Sequence, residues 1–292
     1  MKDWFARIAF LSLLLIPFVC SGCGSQNSPG VDEDFLTDSL LPPYYDSPYA
    51  DAIDKGLEFV RIHADISVPY WQVYAVLNYL QRKFGLDQCY AVQSTLDVER
   101  HEYSDSSSMH LFYRMLYPGY IPDQKLEIDG TDLLHLMSRA LYSDIYPLEA
   151  SFYDELMAVL DEEIEIFGRP GYGATHVILC CQWMRELGTD QAFPQLADQW
   201  DTFASTLVDI AEIEGYSTDL AFEAMAFLHY IGYGHLVQDE WIKKVLSLQS
   251  PEGAWAYEPG EDNNGHPTVL AIWLLLEESL PNVEPVPWIT LK

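Results

Sequence analysis

The chain has 292 residues and is strongly acidic, because 45 Asp and Glu residues against 15 Lys and Arg residues give a formal net charge of −30 at pH 7. This charge disfavours binding to nucleic acids and to anionic lipid headgroups, both of which attract Lys and Arg. Hydrophobic residues make up 49% of the sequence, enough for a chain of this length to bury a substantial core. The composition therefore predicts an ordered globular protein without a nucleic-acid partner.

The first 22 residues have the pattern of an export signal. Lys2 and Arg7 accompany an apolar run over residues 8–19, which is too short to span a bilayer comfortably. The run ends in CSGC, residues 20–23, which resembles a bacterial lipobox; the resemblance implies cleavage of residues 1–22 and lipidation of Cys23. We predict attachment to a membrane of the bacterial cell envelope, on the periplasmic or cell-surface side. Ordinary signal cleavage beside an unmodified Cys23 is the alternative.

Residues 23–49 are rich in Ser, Pro, Gly and Asp and show no helical period. They are predicted to form a flexible tether, with the folded domain at 50–292. Cys89, Cys180 and Cys181 lie in that domain, and three cysteines do not make a disulfide framework. One bridge from Cys89 to the adjacent pair remains open in an oxidising compartment.

From residue 50 onward apolar residues recur with a helical period, and no segment alternates as a strand would. Thr131, Thr175, Thr218 and Thr268 each begin the more apolar helix of a pair, at intervals of 44, 43 and 50 residues. Spacings of about 40–47 residues are typical of two-helix repeats. The pattern predicts an all-α domain of about five αα-hairpins.

The two helices of each predicted pair differ in their apolar pattern. The second helix is apolar nearly all round, which is typical of a helix enclosed by its neighbours. The first is amphipathic, and residues 161–165, DEEIE, are predicted to form a solvated outer face. The pattern therefore predicts an inner set and an outer set of helices.

Residues 241–278 are predicted to form a helix, a polar loop and a second helix. Gln249, Gly253 and Trp255 follow the pattern Q-x3-G-x-W, which resembles the QW motif of the squalene cyclase and terpenoid cyclase families. That motif has a structural role, joining an outer helix to the next inner helix. The resemblance implies an α/α toroid, closed or slightly open, as in the superfamily that includes protein prenyltransferases. A four-repeat solenoid is the alternative.

Cyclase chemistry is not implied, because neither D-x-D-D nor D-D-x-x-D occurs in the chain. Residues 170–280 also resemble an uncharacterised family of secreted animal proteins, through His176, Asp219-x3-Glu223 and a later His266-x-Thr. This second resemblance implies a toroid and an extracytoplasmic location. It implies no catalytic role, since no activity is established for that family.

The candidate site comes from helix starts. In an α/α toroid successive inner helices run parallel, so their N-termini converge on one mouth of the central funnel. Polar residues occupy these positions here and are predicted to bind a ligand: Asp132, His135, His176, Asp219, Glu223 and His266. Glu223 lies in an otherwise apolar helix, where an unpaired carboxylate would cost several kcal/mol, so we predict that a histidine, a ligand or a metal satisfies it.

Structural roles compete with this prediction. Asp132 and Asp219 are favoured residues at helix starts, and His135 is typical of a hydrogen-bonded core histidine. Zinc is an open alternative, because His176, Cys180 and His266 with a carboxylate are acceptable ligands. No close-spaced motif such as H-E-x-x-H supports it, so no cofactor is predicted.

We therefore predict a binding protein that holds a small molecule, a glycan or a protein in or around its funnel. The alternative is a carbohydrate hydrolase or lyase that uses Asp219 and Glu223 as an acidic pair, with His176 and His266 as further catalytic candidates. Exposed carboxylates about 5–5.5 Å apart, or about 6.5–9.5 Å apart, would favour the enzyme.

Overall fold

The computed structural model describes residues 41–63, 71–89, 109–117, 119–121 and 133–289. In these ranges the regular structure is helical apart from two strands of two residues each, which confirms the all-α prediction. The helices are α1 Ala50–His63, α2 Trp71–Phe84, α3 Met109–Leu116, α4 Leu133–Leu141, α5 Phe152–Phe167, α6 Tyr172–Leu187, α7 Trp200–Ile213, α8 Asp219–Tyr230, α9 Asp239–Ser247 and α10 Gly265–Ser279. None of these described helices is long and apolar enough to cross a membrane.

The loop between α9 and α10 contains the two strands, which the sequence did not predict. β1, Trp255–Ala256, pairs antiparallel with β2, Asn263–Asn264. Two residues per strand are too few to show the alternation by which strands are recognised in sequence.

Burial divides the helices as the apolar patterns predicted. Nearly every residue of α8, and of α10 from Pro267 to Glu277, is buried, and α6 is similar. In α5, α7 and α9 only one face is buried. Since an apolar helix needs neighbours on all sides, α6, α8 and α10 lie at the centre of the described domain.

Glu163 of α5 departs from the predicted solvated face and is only 6% exposed. Its carboxylate accepts hydrogen bonds from the backbone N–H groups of Gly171, Gly173 and Ala174, at 2.8, 2.8 and 2.9 Å. These N–H groups belong to the start of α6, where the helix dipole also favours a negative charge. The prediction was wrong for this residue, because backbone N–H groups at the start of α6 supply the hydrogen bonds that a carboxylate normally receives from water.

The helices pack in a series. α4 packs against α6, α6 against α8, α8 against α10, and α10 against α2. The amphipathic helices lie against this series: α5 contacts α6, α7 contacts α8, and α1 contacts α10. α3 contacts both α2 and α4, so it connects the two ends of the series.

The three residues of the Q-x3-G-x-W pattern hold the last hairpin together and fasten it to α1. Gln249 Nε2 donates to the carbonyl oxygens of Ala52 in α1 and of Gly253, both at 2.8 Å. Gly253 has a φ of 92°, and a Cβ there would collide with the carbonyl group of Lys55, so the position requires glycine. The buried indole of Trp255 donates its N–H to a carbonyl oxygen of α9 at 2.8 Å. All three residues therefore have structural roles.

The C-terminal segment, residues 281–289, ends against the C-terminal halves of the central helices. Trp288 is 3% exposed and contacts aromatic rings of α2, α6, α8 and α10. Arg82 of α2 donates to the carbonyl oxygens of Pro287 and Trp288, both at 2.8 Å. The segment thus covers this end of the helix series.

The folded region begins before the predicted boundary at Ala50. Residues 41–49 belong to the compact unit Leu40–Lys292, and Tyr44 is 1% exposed and donates to Asp54 of α1 at 2.8 Å. Absence of helical periodicity did not prevent packing, because Tyr44 is buried and Ser47 Oγ lies 2.6 Å from Ser279 Oγ of α10. The predicted signal 1–22, Cys23 and most of the predicted tether lie outside the described residues.

Candidate functional site at three helix starts

The N-terminal ends of α6, α8 and α10 meet. Thr218 caps α8 by accepting a backbone N–H at 3.2 Å, and Asn264 caps α10 by accepting the N–H of His266 at 3.0 Å. The N–H of Asp219 donates to the carbonyl oxygen of Tyr257 at 2.9 Å, joining the start of α8 to the loop before α10. The five side chains brought together here, which we call the helix-start cluster, are Tyr172, His176, Asp219, Glu223 and His266.

Asp219 connects all three helices. Its Oδ2 accepts a hydrogen bond from the Tyr172 hydroxyl of α6 at 2.8 Å, and its Oδ1 lies 2.8 Å from Nδ1 of His266 in α10. The residue is 1% exposed. Because each carboxylate oxygen already has a donor, Asp219 positions the other two side chains rather than presenting a free carboxylate.

The partners of the two histidines determine where their ring protons lie. His266 Nδ1 faces the Asp219 carboxylate, and His176 Nδ1 lies 2.7 Å from the carbonyl oxygen of Tyr172. Both partners are acceptors, so each neutral ring carries its proton on Nδ1 and a lone pair on Nε2. Neither Nε2 has a hydrogen-bond partner among the described residues, and the two side chains are 20% and 16% exposed. The site therefore presents two imidazole acceptors.

Glu223 is 3% exposed, and its partner is a hydroxyl group. Oε1 is hydrogen-bonded to Thr175 of α6 and lies 3.7 Å from His176 Nδ1, too far for a hydrogen bond. Oε2 has no hydrogen-bond partner within the described part of the chain. Burial raises the pKa of Glu223, although the nearby His176 and His266 oppose the shift. The hydrogen-bond partner is thus Thr175, which was not among the predicted partners, and burial favours the protonated acid.

The same surroundings affect His266 and Tyr172. Burial by itself would lower the pKa of His266, but the charge and hydrogen bond of Asp219, with a contribution from Glu223, outweigh burial and the pKa is raised. Burial and the charge of Asp219 raise the pKa of Tyr172 far above its ordinary range, so its hydroxyl remains a donor. No Lys or Arg of the described chain is among the groups that act on these side chains.

Two predicted ligand-binding residues are not part of this arrangement. Asp132 lies outside the described residues. His135 is buried in α4, outside the hydrogen-bond network of the cluster. It contributes, after Arg139 and Ser151, to the lowered pKa of Glu155 in α5. The predicted convergence thus holds for α6, α8 and α10 but does not include His135.

Cys180 is fully buried one turn after His176, and burial raises the pKa of its thiol well above the ordinary value; burial also raises the pKa of Cys181 to about 12. Zinc binds a thiolate, so this environment disfavours Cys180 as a ligand. Among the described residues no group of three or more His, Cys, Asp or Glu side chains has metal-binding geometry. Cys89, Cys180 and Cys181 are all free thiols, so the alternative disulfide is not formed.

Two members of the hydrogen-bond network were missed by the sequence analysis. Tyr172 precedes His176 by four residues, a spacing that puts both on one face of a helix and would have linked them. Thr175 was recognised only as a marker of a helix start, although it is fully buried against Glu223. The identity of its partner depends on how α6 and α8 pack.

Comparisons with known proteins give no match: no family model, no curated protein and no solved structure corresponds to this chain. Function must therefore be inferred from the helix-start cluster.

Proposed function

We propose that this is an exported, lipid-anchored protein that binds a ligand at the helix-start cluster, in the funnel of an α/α toroid. The observation that carries the proposal is a pair of imidazole Nε2 atoms without a protein partner, beside a buried Glu223, where three helices begin. Such a group of oriented acceptors in a largely buried setting is typical of a ligand site.

The toroid is supported by the direction and order of the central helices. The starts of α6, α8 and α10 meet around Asp219, and their C-terminal halves meet around Trp288, so the three helices run in the same direction. The packing series continues from α10 to α2, and α3 connects α2 to α4. Gln249 joins the last hairpin to α1. A ring of about five hairpins accounts for all these contacts.

The chemistry of the cluster indicates a neutral ligand that carries hydroxyl groups. The two Nε2 lone pairs accept hydrogen bonds from hydroxyl donors, and the Glu223 carboxyl group can either donate or accept. An anionic ligand is disfavoured, because no Lys or Arg in the described chain acts on the cluster and two carboxyl groups lie within it. A neutral glycan has the required groups.

The same geometry favours binding over a glycosidase that works through a carboxylate pair. Such an enzyme needs two carboxyl groups that both reach the sugar. Here Asp219 is buried and both of its oxygens are occupied, by Tyr172 and by His266. Asp219 and Glu223 are therefore not an available pair.

The binding proposal predicts that neutral disaccharides, screened with the full-length protein, include at least one that raises its melting temperature. A ligand at 100 times its Kd adds about 2.7 kcal/mol to the free energy of unfolding. His176→Gln and His266→Gln should each abolish that shift. His235→Gln is the control, since His235 lies in the short turn Gly234–Leu236 and outside the cluster. Equal shifts in the wild type and in His266→Gln would place the ligand elsewhere and contradict the proposal.

Anchoring through Cys23 predicts that Cys23→Ser moves the protein from the membrane fraction to the soluble fraction. Several acyl chains hold a protein stably, because each buried CH2 contributes about 0.8 kcal/mol, and salt does not remove them. Cys20→Ser is the matched control and should stay with the membrane, because residue 20 is predicted to leave with the signal. Retention of Cys23→Ser on membranes after a high-salt wash would refute lipid attachment.

A further inference from the structure

His266 has the hydrogen bonding of a general base. Its Nδ1–H donates to Asp219, which leaves the lone pair of Nε2 directed away from the carboxylate. Asp219 is itself held by the Tyr172 hydroxyl, so the ring has one orientation and one tautomer. A base oriented by a third group in this way is a recurring arrangement in hydrolytic enzymes.

Glu223 is buried, as a neutral acid would be. Thr175 has one hydroxyl proton, and its oxygen lies within hydrogen-bond distance of two acceptors, the Tyr172 carbonyl oxygen at 3.0 Å and Glu223 Oε1. If Glu223 is protonated on Oε2, which has no partner in the described chain, its single proton is free for a ligand, while Oε1 accepts from Thr175. Burial raises the pKa of Glu223 and so favours this state. A carboxylic acid kept neutral by burial can donate a hydrogen bond to a developing oxyanion.

We propose that the helix-start cluster hydrolyses a neutral acyl ester, with water activated by His266 Nε2 and the carbonyl oxygen of the substrate bound by Glu223. This activity rests on the proposed ligand site and adds a reaction to it. Its substrate is an acylated form of the hydroxyl-bearing ligand.

The reaction needs no group beyond water and the cluster. Nε2 takes a proton from water as the water oxygen bonds to the acyl carbon, and the carbonyl electrons move to oxygen, where Glu223 donates a hydrogen bond. The C–O bond to the alcohol then breaks, and the departing oxygen takes the proton from Nε2. An ester and water give an acid and an alcohol, and both His266 and Glu223 return to their starting states. Asp219 is a positioning residue that stabilises the protonated ring.

An ester fits this site better than a glycoside or an anionic substrate. The oriented base is an imidazole, whereas a glycosidase of the usual kind needs a second free carboxylate. A lyase acting on a uronate would have to bind a carboxylate, for which the cluster has no described Lys or Arg. A neutral ester requires neither a second free carboxylate nor a Lys or Arg.

The groups that face His266 determine its pH response. Asp219 and Glu223 approach it from α8, and the ring of Tyr257 stacks on it with centroids 6.3 Å apart. Near the start of α10, Val73 of α2 lies beside Gly265. The charged Lys83 of α2 pairs with Glu277, three turns further along α10. The net effect raises the pKa of His266 above its ordinary value, and the largest contribution to this increase comes from the charge of Asp219.

The test is hydrolysis of 4-nitrophenyl butyrate by the full-length protein. The wild type should show turnover, and His266→Gln should lower kcat/KM by about 100-fold or more, the usual contribution of a general base. His235→Gln should leave the rate unchanged. Glu223→Gln retains a hydrogen-bond donor and should stay within about tenfold of the wild type, whereas Glu223→Leu should lose about 100-fold, as expected for removal of an oxyanion donor.

The pH dependence of the hydrolysis rate distinguishes a positioning role of Asp219 from a role in folding alone. Because only unprotonated His266 is a base, the rate should rise with pH through the raised pKa of that ring. Asp219→Asn removes the charge that raises this pKa, so the rising limb should move to lower pH while the maximum rate falls. If the rising limb of the Asp219→Asn profile stays at the same pH as in the wild type, the positioning role of Asp219 is refuted.

Two results would overturn the inference. One is a rate of ester hydrolysis in the wild type that is no higher than the rate in a folded His266→Gln variant. This result would not decide the binding proposal, because disaccharide binding is measured without turnover. The other result is used if His266→Gln does not fold. Nitrogen NMR of the wild-type protein, above the pKa of His266, should show the ring proton on Nδ1. A proton on Nε2 instead would exclude His266 as the general base.

Discussion

Replacing Trp288 by alanine should lower the free energy of unfolding by about 3–5 kcal/mol, the usual cost of truncating a buried Trp. The indole contacts four rings, with centroid distances of 5.2 Å to Tyr79, 5.4 Å to Trp273, 5.6 Å to Tyr230 and 6.3 Å to Trp183. These rings come from four different helices, so no single neighbour can move to fill the cavity. Thermal or denaturant unfolding would measure the loss.

The backbone around this side chain adds to the effect. Glu186 accepts hydrogen bonds from the N–H groups of Trp288 and Ile289, at 2.8 and 3.3 Å, and Arg82 binds the carbonyl oxygens on the other side. If truncation of the indole releases the segment, Glu186 and Arg82 lose these partners. We therefore expect the upper part of the range.

Two variants control this experiment. Val286→Ala, in the same segment but only partly buried, should cost less than about 1 kcal/mol. Trp288→Phe should cost less than Trp288→Ala, because it keeps a ring and removes an indole N–H that has no hydrogen-bond partner in the described structure. Equal losses in Val286→Ala and Trp288→Ala would show that the segment, and not its indole, stabilises the domain. His266 should titrate unchanged in both, since the cluster lies at the opposite ends of the helices.

Replacing Glu163 by alanine should destabilise the protein by about 3 kcal/mol. The substitution removes the carboxylate that accepts hydrogen bonds from three largely buried backbone N–H groups. The carboxylate packs closely against the helix start, since a Cβ at Gly173 would lie 3.1 Å from its oxygens. Chemical denaturation gives the free energy directly. Glu162→Ala is the matched control and should change stability by less than about 0.5 kcal/mol, because its side chain is exposed.

Glu163→Ala should also weaken the function proposed for the cluster. The N–H groups that it frees flank Tyr172, whose hydroxyl holds Asp219 and whose carbonyl oxygen orients His176. The rising limb of the ester-hydrolysis profile should therefore shift in this variant, even at temperatures where it is fully folded. A destabilised Glu163→Ala with an unchanged profile would mean that the start of α6 keeps its position without the cap.

Local patterns in the sequence were sufficient to predict the helices and to divide them into enclosed and amphipathic ones. The apolar residues of α8 and α10 surround each helix, and this all-round pattern is visible without any knowledge of the neighbours. The meeting of His176, Asp219, Glu223 and His266 was also predictable, from their places at helix starts. Periodicity reports which faces of a helix leave water, and that is a property of the segment itself.

Only the tertiary structure decided which partner each polar group takes. Glu163 stands in a row of acidic residues that resembles a solvated face, yet it caps another helix; His135 shares the helix-start pattern, yet is not part of the hydrogen-bond network of the cluster. Asp219 bonds to Tyr172 and His266, 47 residues away in either direction, and Trp288 contacts Tyr79, 209 residues earlier in the chain. Contacts at such separations depend on the relative positions of whole helices, which no local spacing of residues encodes.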